Sequence, residues 1–239
     1  MPKISKEKWK IYENVFDEFT VQRIRRLMSQ HIIEGLGSPV KIGKEANIFT
    51  ANTKTGEKRI VKIYRLESCN FNKMYDYIRY DPRFLNISKQ RRQVIFAWVN
   101  REYRNLMKAR QSGVRVPTPI ACIDNVLVLE YIGDDNVSPQ LKDSMPNTKK
   151  GMKNMLDAII VNLNLLYNKA GLVHADLSEF NILNYNENPV LIDFSQSTPV
   201  NNMNSNEYMD RDIANLVRFW KKKGIMIEPG ELKKRIVGK

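Results

Sequence analysis

Three oxygen-bearing side chains stand at intervals suited to handling a metal-bound triphosphate. In LVHADLSEFNIL, residues 172–183, Asp176 and Asn181 are five positions apart, and Asp193 follows twelve positions later in PVLIDFSQS, residues 189–197. Phosphoryl transfer calls for such a set. Its transition state spreads negative charge over the equatorial oxygens, so catalysis rests on the placement of cations and donors. Mg²⁺ takes oxygen ligands, which Asn181 and Asp193 supply, and Asp176 is suited to orient or deprotonate an acceptor hydroxyl. Asp193 ends an apolar run, Val190-Leu191-Ile192, that reads as a short strand. The bland account of these residues is a polar turn beside a buried strand. An Asp-x4-Asn interval alone is weak, and His174 upstream with the strand-borne Asp193 downstream gives it weight.

Other elements must then position a nucleotide. Residues 40–51, VKIGKEANIFTA, hold a single Gly43 between apolar stretches, which predicts a hairpin turn but lacks the repeated glycines of a phosphate-covering loop. The next strand, Ile60-Val61-Lys62-Ile63-Tyr64, turns Lys62 opposite to Val61 and Ile63. A lysine within an apolar strand is costly unless it meets an anion. Lys62 is read either as a contact to the α- and β-phosphates or as a solvent-facing residue of an exposed strand face. Glu102 is its candidate partner. It lies on a helix expected from about Lys89 to Ser112, capped by Ser88 and ended by Gly113, and falls within the stripe of Ile95, Trp98, Val99, Leu106 and Met107. The other account of Glu102 is a surface pair with nearby arginines. Val126–Ile132 reads as a buried strand ending at Gly133. The main chain of Glu130 and Ile132 could read an adenine edge, with Leu129 lining the pocket, or the segment is an ordinary core strand.

With these residues in place, the chain resembles the RIO family of atypical protein kinases, in its type-1 branch. The resemblance runs from about Lys41 to Gly224 and rests on GKEAN at 43–47, NFNKMYDYIRYDPRF at 70–84, HADLSEFNIL at 174–183 and RDIANLVRFWKKKG at 211–224. It implies an α+β, bilobal protein-kinase-like fold. A small N-terminal antiparallel-sheet lobe would join a mainly helical C-terminal lobe, with extra N-terminal helices. The implied layout is a helical extension over residues 1–39, an N-terminal lobe over 40–131 with an insertion at about 67–88, and a C-terminal lobe over 132–239. Also implied are ATP with Mg²⁺ or Mn²⁺, serine autophosphorylation, ATPase activity and a role in maturation of the small ribosomal subunit. On that resemblance Asp176 is the catalytic aspartate, Asn181 and Asp193 hold metal, and Lys62 and Glu102 form the ion pair. Gly43, Lys44, Glu45 and Ser178 join Leu129, Glu130 and Ile132 in ATP binding. A phosphoaspartate maps to Asp193. The sequence departs from the pattern at Lys41-Ile42, where the family often has a hydroxyl before the loop glycine. Ser178 replaces the lysine of ordinary protein kinases, and Phe194-Ser195 follows Asp193 in place of Phe-Gly.

Asp193 and Asp212 are nineteen positions apart, and the polar stretch SQSTPVNNMNSNEYM between them has no Ala-Pro-Glu anchor. Ordinary protein kinases need a longer segment to cradle a peptide. Slow self-phosphorylation or an ATP-hydrolysing switch is therefore expected over brisk phosphorylation of many proteins. His174 is read as a general base, a metal ligand, or a ring packed under the loop and bonded to its backbone; no second His or Cys lies near it in sequence. Asp212 either accepts bonds from the catalytic loop or is a first-turn helix carboxylate favoured by the dipole.

The net charge of +13 is uneven: +2 over 1–40, +12 over 41–120, −5 over 121–200 and +4 over 201–239. Clusters such as Lys89-Gln90-Arg91-Arg92, and Phe71, Tyr75, Tyr77 and Tyr80 interleaved with Lys73 and Arg79, would suit rRNA of a small-subunit precursor. Solubility and attraction of ATP explain the charge equally well. MPKISKEKWK has no apolar core of a signal peptide, and no apolar run approaches the roughly 20 residues that span a bilayer. Cys69 and Cys122 fit no metal spacing and are expected as free thiols in a reducing, cytoplasmic setting. Residues 1–40 read as helical, with Trp9, Tyr12, Val15, Phe16 and Phe19 on one face and Gly35–Pro39 as the break before the first strand. Strands are expected at roughly 40–50, 60–64, 115–123 and 126–131, and a helix over 151–170 ended by Gly171. Two rival functions are a small-molecule phosphotransferase of the aminoglycoside or choline kinase kind, against which 70–84 argues, and an ATP-gated assembly factor acting by binding and release.

Overall fold

The computed structural model describes residues 16–67, 69–84 and 87–238. Trp9, Tyr12 and Val15 of the expected apolar face lie outside them. The chain divides into two compact units. One comprises the chain through Tyr103 with Pro119–Tyr131, the other Arg104–Thr118 with the chain from Ile132 on.

The first unit is built on a five-stranded antiparallel sheet in the order β1-β2-β3-β5-β4: β1 Gly35–Ile42, β2 Ala46–Asn52, β3 Lys58–Tyr64, β4 Pro119–Ile123 and β5 Val126–Glu130. Helix α1, Glu18–Ser29, starts where the Asp17 carboxylate accepts the N–H of Thr20 at 3.0 Å. Its Val21, Ile24 and Leu27 recur at helical spacing and share a core with Phe49, Ala51, Val61, Ile63, Val126 and Val128. The strand begins earlier than expected. Gly35–Pro39, read as a break, forms the first five residues of β1. Register shifts flank Pro39, so a residue without an N–H is accommodated on an edge strand. A Cβ on Gly37 would come 2.5 Å from Thr50 Oγ1, so glycine there permits the close approach of β2.

The 70–84 segment folds into α2, Phe71–Arg79, followed by a 3₁₀ turn at Pro82–Phe84. Met74 and Ile78 bury its apolar side. Its aromatic rings are only partly available for stacking on bases. Phe71 and Tyr75 stack on each other, and Tyr77 sets its edge against Trp98. Tyr80 is the exposed large aromatic among them. Helix α3, Arg91–Gln111, begins three positions after Ser88, so Ser88 does not cap it; Gly113 follows its end at φ 86°.

The second unit carries α4 Lys149–Asn168, α5 Ser205–Lys222 and α6 Pro229–Val237, with two short antiparallel pairs. These are β6 Leu172–Val173 with β9 Thr198–Pro199, and β7 Ile182–Tyr185 with β8 Asn188–Leu191. Helix α4 starts two residues before its expected position because Thr148 accepts the N–H of Gly151 at 3.0 Å. Its Asn164 and Asn168 donate to the carbonyl of Ile236 at the end of α6. The short β pairs frame the loop that carries Asp176 and Asn181.

Candidate active site

In the first unit, β3 is covered on both faces. Val61, Ile63 and Tyr64 are buried, and Lys62 is 8% exposed. The solvent-facing reading of Lys62 fails for that reason. Its ammonium lies 2.9 and 3.1 Å from the two carboxylate oxygens of Glu102, which is 1% exposed on α3. A buried ammonium and a buried carboxylate each carry a large desolvation penalty alone, so each requires the other. The phenol of Tyr64 also donates to Glu102 Oε2.

The turn between β1 and β2 is closed by a bond from Gly43 N to the carbonyl of Ala46 at 3.1 Å. Lys44 and Glu45 at its tip are exposed. The carbonyl of Glu45 accepts from Arg65 N and from the thiol of Cys69, tying the turn to the end of β3. Leu129 and Glu130 end β5, where Leu129 pairs with Ile60 and Glu130 with Arg59. Ile132 belongs to the second unit. Its side chain packs with Leu183 and Val190, and its carbonyl accepts from Ser138 N at 2.9 Å.

In the second unit, Asp176 and Asn181 are drawn together by a tight loop. The Asn181 amide donates to the Asp176 carbonyl at 2.8 Å and to its carboxylate at 3.3 Å. The main-chain N–H of Asn181 reaches the carbonyl of Ser178 at 2.9 Å, and its own carbonyl accepts from Ile192 N at 3.0 Å. That last bond ties the Asn181 loop to the residue before Asp193. Asp193 sits at φ 63°, and its carboxylate accepts from the Ser195 hydroxyl at 2.8 Å.

Helix α5 fixes the loop from below. The Asp212 carboxylate accepts the N–H groups of Ala175 and Leu177, both at 2.8 Å. Asp212 is the eighth residue of α5, so its role is this anchoring and not first-turn dipole compensation. Burial pushes its pKa up to about 7, opposed by these two N–H bonds and by Arg211. Arg211 donates to the carbonyl of Ala175, and Asn215 to that of Leu177 at 3.0 Å. Ala175 is thereby held at φ 68°, a conformation uncommon for a residue with a Cβ.

His174 is 1% exposed, and its Nε2 lies 3.0 Å from the carbonyl of Ile192. A carbonyl only accepts, so Nε2 carries the hydrogen. Burial lowers the pKa to about 4 and keeps the ring neutral near pH 7. The ring meets Phe194 edge-on at 4.8 Å. Of the three readings, the packed ring bonded to backbone is the one observed.

A family model described as "RIO domain" matches residues 47–232. The RIO-type serine/threonine-protein kinase Rio1 of Haloferax volcanii is 35% identical over 97% of this chain and 79% of its own length. The protein of the same description from Methanocaldococcus jannaschii is 36% identical over 98% of this chain and 79% of its own. The chain belongs to the RIO family. Its class is therefore that of an ATP-dependent phosphotransferase, the serine/threonine protein kinase type for which its relatives are named. The fold agrees. A Rio2 kinase from Chaetomium thermophilum, solved as an ADP/Mg²⁺-phosphoaspartate complex, superposes with a TM-score of 0.68 at 20% identity. The match covers 91% of this chain and 65% of the Chaetomium chain. This RIO chain thus has an α+β, protein-kinase-like fold, with the antiparallel sheet in its first unit and mainly helices in its second.

The oxygen donors of this RIO chain suit a hard divalent ion. Asn181 spends its N–H groups on Asp176, which leaves Oδ1 as its donor oxygen, and Asp193 adds a carboxylate. Among the described residues no three His, Cys, Asp or Glu side chains gather as a metal group. A small set of oxygen ligands is what Mg²⁺ uses when water and phosphate complete its shell. Cys69 and Cys122 form no disulfide.

Four supporting residues escaped the sequence reasoning: Tyr64, Asn105, Arg211 and Asn215. Asn105 is fully buried and donates to the carbonyls of Phe194 and Ser197 at 3.0 and 2.8 Å, pinning the segment after Asp193. Its signal was an amide beside Leu106 in the apolar stripe of α3. Tyr64 shares a strand face with Lys62, two positions on, which period-2 reasoning could have flagged.

Proposed function

We propose that this chain transfers the γ-phosphoryl group of ATP to a serine or threonine hydroxyl, its own first of all. The observation that carries this reading is the buried Lys62–Glu102 pair at 2.9 Å. A lysine placed inside an apolar strand and aligned by a carboxylate is suited to neutralise charge on the α- and β-phosphates. Asp176 orients the acceptor hydroxyl or takes its proton. Asn181 Oδ1 and the Asp193 carboxylate hold Mg²⁺ or Mn²⁺, which when bound screens the phosphate charge. Gly43, Lys44 and Glu45 lie over the phosphates, Ser178 contributes from the catalytic loop, and the main chain of Glu130 and Ile132 reads the adenine beside Leu129. The carbonyl of Ile132 already accepts from Ser138, so its N–H is the group assigned to adenine.

A second acceptor is Asp193 itself. The Asp193 oxygen would form a bond to the γ-phosphorus as the bond to the bridging oxygen of ADP breaks, and water would later cleave the acyl phosphate. The phosphoaspartate of the Chaetomium Rio2 kinase, a protein of the same fold, supports this second acceptor. The short segment between Asp193 and α5, with only the two-residue β9, favours self-phosphorylation and ATP hydrolysis over a broad peptide platform. The test is intact-mass and peptide-mass analysis after incubation with labelled ATP and Mg²⁺ under conditions that keep acyl phosphates. Phosphate on a serine supports the first acceptor and on Asp193 the second. Phosphate only on an added small alcohol would overturn the protein-kinase reading.

We further infer a role in small-subunit maturation in the cytoplasm, with precursor rRNA and ribosomal proteins as partners. The family resemblance and the +12 charge over residues 41–120 support it. No helix among the described residues is long and apolar enough to cross a membrane. Affinity for small-subunit rRNA should fall as salt rises; absence of binding at low salt would remove this inference.

A further inference from the structure

We propose that Tyr64 is a positioning residue for phosphoryl transfer, acting by holding the Glu102 carboxylate against the Lys62 ammonium. The inference rests on the reading of Lys62 as the phosphate-binding lysine and adds a third member to its ion pair. Glu102 Oε1 faces Lys62 Nζ at 2.9 Å. Oε2 faces the same nitrogen at 3.1 Å and also accepts from the Tyr64 hydroxyl. The ring of Tyr64 lies under the ammonium, 5.0 Å from Nζ to the centroid, within range of a cation–π attraction. One side chain therefore touches both members of the pair, the carboxylate through its hydroxyl and the ammonium through its face.

The phenol is itself fixed. Tyr64 is the last residue of β3, where strands commonly fray, yet its main chain is bonded on both sides. Its N–H donates to the carbonyl of Asn125 at 2.9 Å, and its carbonyl accepts from the Asn125 side chain at 2.9 Å. The same amide reaches the hydroxyl of Thr20 on α1, also at 2.9 Å. Tyr64, Asn125 and Thr20 are all 1% exposed or less. A strand end tied to the β4–β5 turn and to a helix gives the hydroxyl a fixed origin from which to aim the carboxylate.

Lys62 is a flexible point charge on a four-carbon stem, and the plane of the Glu102 carboxylate is set by the groups that donate to it. A second donor on Oε2 fixes the plane of the carboxylate and hence the position of the ammonium before a nucleotide arrives. Such preorganisation is where electrostatic catalysis gains its effect. A shape-preserving change, Tyr64→Phe, removes the hydroxyl and leaves the ring in place.

The experiment uses the full chain as wild type, Tyr64→Phe, Glu102→Gln, the double variant and Lys62→Ala. It reads KM for ATP and kcat for self-phosphorylation, the thermal midpoint, and the rate at which Lys62 is acetylated by an amine reagent without nucleotide. Tyr64→Phe is expected to raise KM for ATP about ten-fold, the size of one hydrogen bond to a charged group. Lys62 should be acetylated several-fold faster in that variant. In the Glu102→Gln background the same substitution should change KM less than about two-fold, because coupled residues are non-additive. A Tyr64→Phe enzyme with wild-type KM, or with lowered kcat at unchanged KM and a lowered thermal midpoint, would reduce Tyr64 to a packing residue and overturn the proposal. Should Lys62→Ala leave ATP binding intact, the underlying reading of Lys62 fails, and this inference with it. Loss in Lys62→Ala beside a wild-type Tyr64→Phe defeats this inference alone. The acetylation rate decides the matter if Tyr64→Phe turns over too slowly for kinetics: an unchanged rate overturns the proposal.

Discussion

Asn181 gives its amide hydrogens to Asp176, reaching the main-chain carbonyl at 2.8 Å and the carboxylate at 3.3 Å. The metal-ligand role proposed for Asn181 and its loop-holding role would thus coincide in one side chain, and substitution can separate them. Asn181→Asp keeps an oxygen donor but sets a second acceptor against two Asp176 oxygens. Transfer should fall on the order of 100-fold even at saturating Mg²⁺, the scale expected when a transition-state contact is misplaced. The check is phosphate transfer across a Mg²⁺ titration. Wild-type rates in Asn181→Asp would leave only the ligand role standing.

Asp176→Asn preserves shape and removes the negative charge that would orient or accept a proton. Transfer is expected to drop by roughly 10²–10⁴-fold, the range for general acid–base groups. ATP affinity should stay within about three-fold, because other residues are assigned to the phosphates and adenine. Parallel measurement of nucleotide binding and phosphate incorporation tests both halves of this statement. An active variant would refute the assignment of Asp176.

How much of this was legible in the sequence follows from which interactions are local. The Met155–Leu166 stripe of α4 announces its helix through period, and the buried residues there follow it, whereas β3 buries Val61, Lys62, Ile63 and Tyr64 in succession. The meeting of Lys62 with Glu102 is legible because an apolar strand and an apolar helix stripe each tolerate a charge only beside its opposite. The start of β1 was not legible, because Gly35–Pro39 reads as a breaker until bulged pairing with β2 is known. The pairings of Asp81 with Arg101 and of Asn105 with the carbonyl of Phe194 were not legible for a related reason. Each involves a polar residue whose burial becomes tolerable only through a partner distant in sequence, and no periodic pattern names that partner.

Asp81 and Arg101 pin the segment after α2 to α3. They meet at 3.0 Å with 1% and 0% of their surface exposed, and Arg83 closes on the same carboxylate oxygen at 2.6 Å. Burial opposes ionisation of Asp81, yet the bonds and charges of Arg83 and Arg101 hold its pKa below the usual carboxylate range. Asp81→Ala would leave a buried guanidinium uncompensated and should cost roughly 3–5 kcal/mol of stability in urea denaturation. A loss under about 1 kcal/mol would mean that water reaches Arg101 once the carboxylate is gone.

His174 predicts an acid-sensitive contribution to stability. Its folded pKa of about 4 lies below the ordinary histidine value of 6.5, so the unfolded chain takes up the proton first. The contribution is full above about pH 6.5 and is lost as pH falls toward 4. Asp212 acts in the opposite sense. Its folded pKa near 7 exceeds the ordinary 3.8, so protonation in the folded state favours folding as pH drops from 7 to 4. Comparing the wild type with His174→Gln isolates the first effect, since Asp212 is common to both. Gln can still donate to the carbonyl of Ile192. Between pH 7 and pH 5 the wild type should lose roughly 2 kcal/mol more than the variant, measured by urea denaturation of the metal-free chain at each pH. Parallel curves for the two proteins would show that the imidazole is already accessible to protons in the folded state, and that the ring under the Asp176–Asn181 loop is not held dry.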